Sequence, residues 1–187
     1  MTLNKVIISP EILNYAKFTS PNMTPLKRKS GWTELASEKR GQGDLLDLIG
    51  SLVIFHELGK RNKICSVDMT CGFGDDKDIV VVIKGEKKSI NIKTSSYGPY
   101  RDNLRLFVKE EELDKNIDAY IQCFVHLNQD EPHIHLAGWV ATNSSVWLTA
   151  KKNVETIPNT GGHKGIGITL NKLGQIESLF NLVDNKF

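Results

Sequence analysis

Residues 79–83 read Ile-Val-Val-Val-Ile, five consecutive β-branched side chains. Such side chains are stiff in a helix and pack well on a pleated surface, so the run predicts a buried strand. A turn over residues 85–88 follows, and residues 89–94 alternate, with Ile90 and Ile92 facing inward. Alternate strand residues share a face, so Asn91 and Lys93 point one way and Ile92 the other. A hairpin over 78–94 is therefore the feature around which the rest of the chain must be arranged.

Upstream, Leu45, Leu46, Ile49, Leu52, Val53 and His56 recur at helical spacing. They predict an amphipathic helix over 43–58, with Asp44 near its N-terminus and Gly59 as its stop. Strands are expected at 64–69, 104–108 and 145–148, with an acidic turn at 110–112. A second hairpin is expected from 119–126 and 133–140. A glycine-rich loop over 160–167 leads to a C-terminal helix near 171–182. Trp139 and Trp147 read as core. Residues 1–30, with an apolar run at 6–8, a helical turn from Pro10 to Phe18 and prolines at 21 and 25, read as an N-terminal arm. Residues 31–187 read as a single α/β domain, with a mixed central sheet flanked by helices.

A chain of 187 residues buries enough surface to fold without a metal or disulfide. Its 40% hydrophobic and 25% charged residues are those of a soluble globular protein. No apolar run approaches the roughly 18 residues of a membrane span. The first ten residues are too soon interrupted by Pro10 for a signal peptide. Three cysteines without a CxxC pair argue against a disulfide scaffold and a four-ligand zinc site, and make a reducing cytoplasm the default. Net charge is only +2, yet residues 1–63 carry ten Lys/Arg against six Asp/Glu, a net of +4. The clusters Lys27-Arg28-Lys29, Lys39-Arg40 and Lys60-Arg61 can steer a polyanion despite the near-neutral total.

The chemistry concentrates on the first hairpin. Asp78 opens one strand and Asn91-Ile92-Lys93 lies near the end of the next, so pairing brings a carboxylate, an amide and an ammonium to one sheet edge. Hard cations such as Mg²⁺ or Mn²⁺ take oxygen ligands. Asp78, the Asn91 side-chain oxygen and the Ile92 backbone carbonyl are the expected donors. Lys93 would orient or deprotonate water, or neutralise charge building on a phosphate.

With these residues in place, the stretch 40–140 resembles the PD-(D/E)XK nuclease superfamily, whose core is a helix, a hairpin bearing D…(D/E)xK, and further strands. Asp78-Ile-Val-Val-Val and Ile90-Asn-Ile-Lys-Thr-Ser are similar to its hairpin. The stretch 43–47 looks like its first helix, with Asp47 at the position of a metal-adjacent acid. Residues 117–121 and 136–140 resemble the strand pair that follows. Asn91 departs from the usual acid and removes one charge from the metal site, although some branches carry an amide there. The resemblance implies a restriction-endonuclease-like fold and a Mg²⁺- or Mn²⁺-dependent DNA endonuclease, acting as a homodimer because double-strand cutting by small folds needs two sites. The alternative it implies is a catalytically silent nucleic-acid-binding module.

Other residues compete for roles. Lys27, Arg28, Lys29, Lys39, Arg40, Tyr97, Arg101 and Lys164 are the expected DNA contacts, through their charges or hydroxyl groups. Asp75 and Asp76, in the turn before Asp78, are the next metal-ligand candidates. Glu57 reads as a solvated acid at a helix end. His133 and His135 share one strand face, a spacing suited to zinc or copper, but no third ligand is evident in the sequence.

Overall fold

The computed structural model describes residues 4–29, 37–67, 78–96, 104–156 and 162–186, without the side chains of 22–29 and 37–42. All structural statements below concern these residues.

The β-branched run forms β3 (Ile79–Ile83), which pairs antiparallel with β2 (Cys65–Val67) and β4 (Glu86–Ser95). The turn between β3 and β4 is tighter than the expected 85–88. Ile83 pairs with Glu86 and only Lys84 and Gly85 intervene, with φ of 53° and 79°. Two successive left-handed residues match the right-handed twist of a hairpin. The Asp184 carboxylate accepts hydrogen bonds from both turn amides, at 3.0 and 2.7 Å. This C-terminal clamp fixes the register of the whole hairpin.

β4 continues parallel to β6 (Ala119–His126), which pairs antiparallel with β7 (His133–Ala141). β1 (Asn4–Ile7) adds to the outer edge of β7, giving the order β1-β7-β6-β4-β3-β2. The opening apolar run is thus an edge strand of the main sheet. After it, α1 (Pro10–Lys29) runs eleven residues beyond the expected end at Phe18 and packs on α2 (Ser37–Lys60). α2 begins before the expected Gly43. It also passes Gly59 to end at Lys60, and is closed off by Asn62, whose φ is 55°. Lys63 N–H donates to the Leu58 carbonyl and Asn62 N–H to the Gly59 carbonyl, a left-handed cap that satisfies the last carbonyls.

The expected single sheet is corrected. β5 (Arg105–Lys109), β8 (Glu155–Thr156) and β9 (Lys164–Thr169) form a second, three-stranded sheet in the order β5-β9-β8. Half of the supposed glycine-rich loop is therefore β9, where Gly165, Ile166 and Gly167 pair with β5. Residues 145–148 are also not a strand. They lie in α3 (Ser145–Lys151), capped by the Ser144 hydroxyl, which accepts from Trp147 N–H at 3.2 Å. The C-terminal helical segment is divided into a 3-10 turn at Leu170–Lys172 and α4 (Ile176–Leu182).

Two cores sit on opposite faces of the main sheet. Ile49, Val53, Ile79, Ile90, Ile92 and Ile121 pack with α2, while Tyr120, Phe124, Val140, Trp147, Ile166 and Ile168 join the second sheet and α3. Trp147 is core as expected, stacked on Tyr120 with centroids 4.8 Å apart. Trp139 is only partly buried, and its indole N–H donates to Gln175 and Ser178.

Gly50 sets the approach of α2 to β4. A Cβ there would lie 2.5 Å from Thr94 Cγ2 and 3.2 Å from Ile92 Cγ2, whereas a Cβ at Gly59 would meet nothing within 4 Å. Gly50→Ala is expected to cost about 1–3 kcal/mol, as overpacking does. Gly59→Ala is expected to be neutral or slightly stabilising, because alanine favours helix. Urea unfolding of both variants checks the contrast.

Glu57 is not solvated. It is 8% exposed and binds Lys60 at 2.8 Å and Arg61 at 2.7 Å, while Arg61 reaches Glu177 of α4 at 3.0 Å. Burial pushes the Glu57 carboxyl up, but hydrogen bonds and charge from Lys60 and Arg61 outweigh it and hold the carboxyl below its ordinary value. A lowered folded pKa contributes stability above the unfolded value, and that contribution is lost as pH falls through the folded value. The stability gap between wild type and Glu57→Gln is therefore expected to be largest near neutral pH and to close in acid, as read by urea unfolding at pH 7 and pH 3.

Candidate functional site

β4 presents two chemically different faces. Ile90 and Ile92 are buried against α2, and alternation turns Asn91 and Lys93 to the opposite face. The two-residue turn fixes Ile79 opposite Ile90, and Asp78 stands just before this first pair of β3. Asp78 N–H donates to the Ile90 carbonyl at 2.9 Å. The Asp78 carboxylate then accepts from Ile92 N–H at 2.6 Å, taking the ladder position at which β3 begins. The N–H and C=O of one strand residue point to the same side, so the Ile92 carbonyl is directed toward the Asp78 side of β4. The structure thus brings Asp78 onto Ile90 and Ile92 of β4, on either side of Asn91 in the chain, at one end of the hairpin.

Lys93 is next on the same face as Asn91. Its ammonium lies 2.8 Å from Glu112 Oε2 and 5.8 Å from the centre of the Tyr120 ring. Glu112 sits in a 3-10 turn, Glu110–Glu112, which directly follows β5, and Tyr120 Oη donates to its backbone carbonyl at 3.2 Å. Gln122, 4% exposed, pairs with Lys93 across the parallel β4–β6 ladder. Asn91 is 8% exposed. A carboxylate, an ammonium, two amides and an aromatic ring therefore share this part of the sheet. Sequence reading missed Glu112 and Gln122. Glu112 lies 19 positions from Lys93 and returns to it only because β5 leaves the main sheet.

Asp47 approaches from the other layer. Its carboxylate accepts a short hydrogen bond from the Thr94 hydroxyl, and Thr94 shares the helix-facing side of β4 with Ile90 and Ile92. Asp47 and Asp78 are thus anchored two residues apart on β4, at Thr94 and Ile92.

The expected DNA contacts are spread widely. Lys27, Arg28 and Lys29 close α1, and Lys39 and Arg40 lie in the first turns of α2; their side chains are outside the description. Tyr97, Arg101, Asp75 and Asp76 lie outside the described residues. Lys164 is exposed and opens β9, one residue from the Lys109–Gly165 pair at the corner leading to Glu110. A groove of about 520 Å³ between α3 and the second sheet, lined by Arg105, Glu155 and Lys172 among others, contains none of the hairpin residues.

The donors at the hairpin end suit a hard cation. Asp78 offers carboxylate oxygen, Asn91 amide oxygen and Ile92 carbonyl oxygen, while the buried Cys123 thiol is close enough to Asp78 for the carboxylate to add to burial in pushing its pKa up. No described helix is long and apolar enough to cross a membrane. Compared with protein-family models, curated proteins and solved structures, the chain matches none.

Proposed function

We propose that the chain is a Mg²⁺- or Mn²⁺-dependent endodeoxyribonuclease of the PD-(D/E)XK type, cutting DNA as a homodimer in the cytoplasm. The observation that supports this most is the Asp78 carboxylate held on Ile92 N–H, the residue between Asn91 and Lys93 on β4, with α2 packed on the hairpin. The element order agrees with the helix, hairpin and strand pair expected of that superfamily.

Asp78, the Asn91 amide oxygen and the Ile92 carbonyl would hold the ion, which when bound activates water and offsets phosphate charge. The protein's own groups do the rest. Ile92 N–H keeps the Asp78 carboxylate in place. Lys93, with four methylenes of reach, is positioned by Glu112 and Tyr120 to meet negative charge developing on a phosphate. Glu112 restores to this face the carboxylate that Asn91 lacks. The ion pair also favours the second reading, a silent DNA-binding module, because it neutralises the Lys93 ammonium locally.

Plasmid cleavage with Mg²⁺, with Mn²⁺ and with EDTA tests the proposal. Cutting should need the cation, and undiminished cutting in EDTA would remove the metal from the mechanism. Asn91→Ala separates the two readings further. If the amide binds metal or water, the rate should drop at least about tenfold. DNA binding with no cleavage under any cation would favour the silent module.

A further inference from the structure

The end of the β6–β7 hairpin carries three imidazoles. His133 and His135 lie on one face of β7, and His126, the last residue of β6, supplies the third ring that the sequence did not reveal. The three offer ligand nitrogens all within 4.8 Å of one another. In a tetrahedral ion with metal–nitrogen distances near 2.0–2.1 Å, ligand nitrogens stand about 3.3 Å apart. His126 Nε2 and His135 Nδ1 already stand 3.2 Å apart.

We infer that His126, His133 and His135 form a second metal site, selective for zinc and related first-row dications, with water at the fourth position. Two supports bear on this. His133 Nδ1 lies 2.9 Å from the Glu131 carbonyl, so that nitrogen carries the proton and Nε2 keeps its lone pair for a metal. Imidazole suits zinc, copper or nickel and is a poor ligand for magnesium, which separates this site chemically from the Asp78 oxygen donors. A set of three histidines leaves one position open, the arrangement of sites that exchange water or substrate.

The site is separate from the hairpin proposed to act on DNA. His126 lies four residues beyond Gln122 on β6, or about 13 Å along the strand. A bound ion would tie β6 to β7 at its open end, beside β1, where Lys5 pairs with His135.

Calorimetric titration of the full chain, stripped of metal and then given ZnCl₂, tests the inference. One equivalent should bind with a dissociation constant near or below about 1 µM, and excess Mg²⁺ should not compete. His126→Gln and His135→Gln should each weaken binding by at least about tenfold, and the double variant should abolish it. Asp78→Asn should leave it unchanged. Co²⁺ added to the unaltered chain should give visible tetrahedral bands without a thiolate charge-transfer band, a readout independent of whether any variant folds. Absence of tight binding, wild-type affinity in the double variant, or a cobalt–thiolate band would each overturn the assignment.

Discussion

Lys93→Ala is expected to lower the single-turnover rate of DNA cleavage by roughly 10²–10³, the cost of losing one preorganised electrostatic group. The ammonium sits 2.8 Å from Glu112 and is about one quarter exposed, so it is held rather than waving in solvent. DNA affinity should change little, by about one phosphate contact, with the salt slope falling by roughly one or less. Truncation also strands the Glu112 carboxylate, which is 13% exposed, and loss of one partner of a buried pair destabilises. Lys93→Ala combined with Glu112→Gln removes that stranded charge, and urea unfolding confirms that rates are compared between folded proteins. Single-turnover measurement with enzyme in excess separates slow chemistry from weak binding. A normal saturated rate in a folded Lys93→Ala protein would take the residue out of the reaction and favour the silent DNA-binding module.

Asp78→Asn is expected to reduce cleavage at least about 10³-fold while the hairpin stays intact. The substitution keeps an oxygen that can accept from Ile92 N–H, the 2.6 Å contact that closes the ladder where β3 begins. What it removes is the charge that makes this oxygen cluster attractive to a divalent cation. Affinity for DNA should be retained or slightly improved, because basic side chains supply most of it and a carboxylate near phosphate is repulsive. Near-wild-type cutting by Asp78→Asn would transfer the metal ligands elsewhere.

Much of the hairpin was legible from local rules. Five β-branched residues followed by a glycine-containing turn leave few alternatives, and alternation separates Asn91 and Lys93 from Ile90 and Ile92. The second sheet was not legible. The strand at 105–109 looks like any other half-buried strand, and only its pairing with β9 takes it off the main sheet. Residues 145–148 read as a strand because Val146 and Trp147 favour sheets. The Ser144 cap and the burial of Trp147 against Tyr120 overrode that weak preference.

The candidate sites divide in the same way. The sequence by itself determined that Asn91 and Lys93 share one face of a hairpin strand, because strand periodicity acts over a few residues, while the two-residue turn at Lys84 and Gly85 emerged only in the structure. It also determined that His133 and His135 share a face. Only the tertiary structure decided that Glu112 meets Lys93, that Asp47 is anchored at Thr94, and that His126 completes a cluster of three imidazoles. These contacts depend on strand order and on which layer each element joins. Such choices are fixed by burial summed over the whole chain, and no short stretch of residues encodes them.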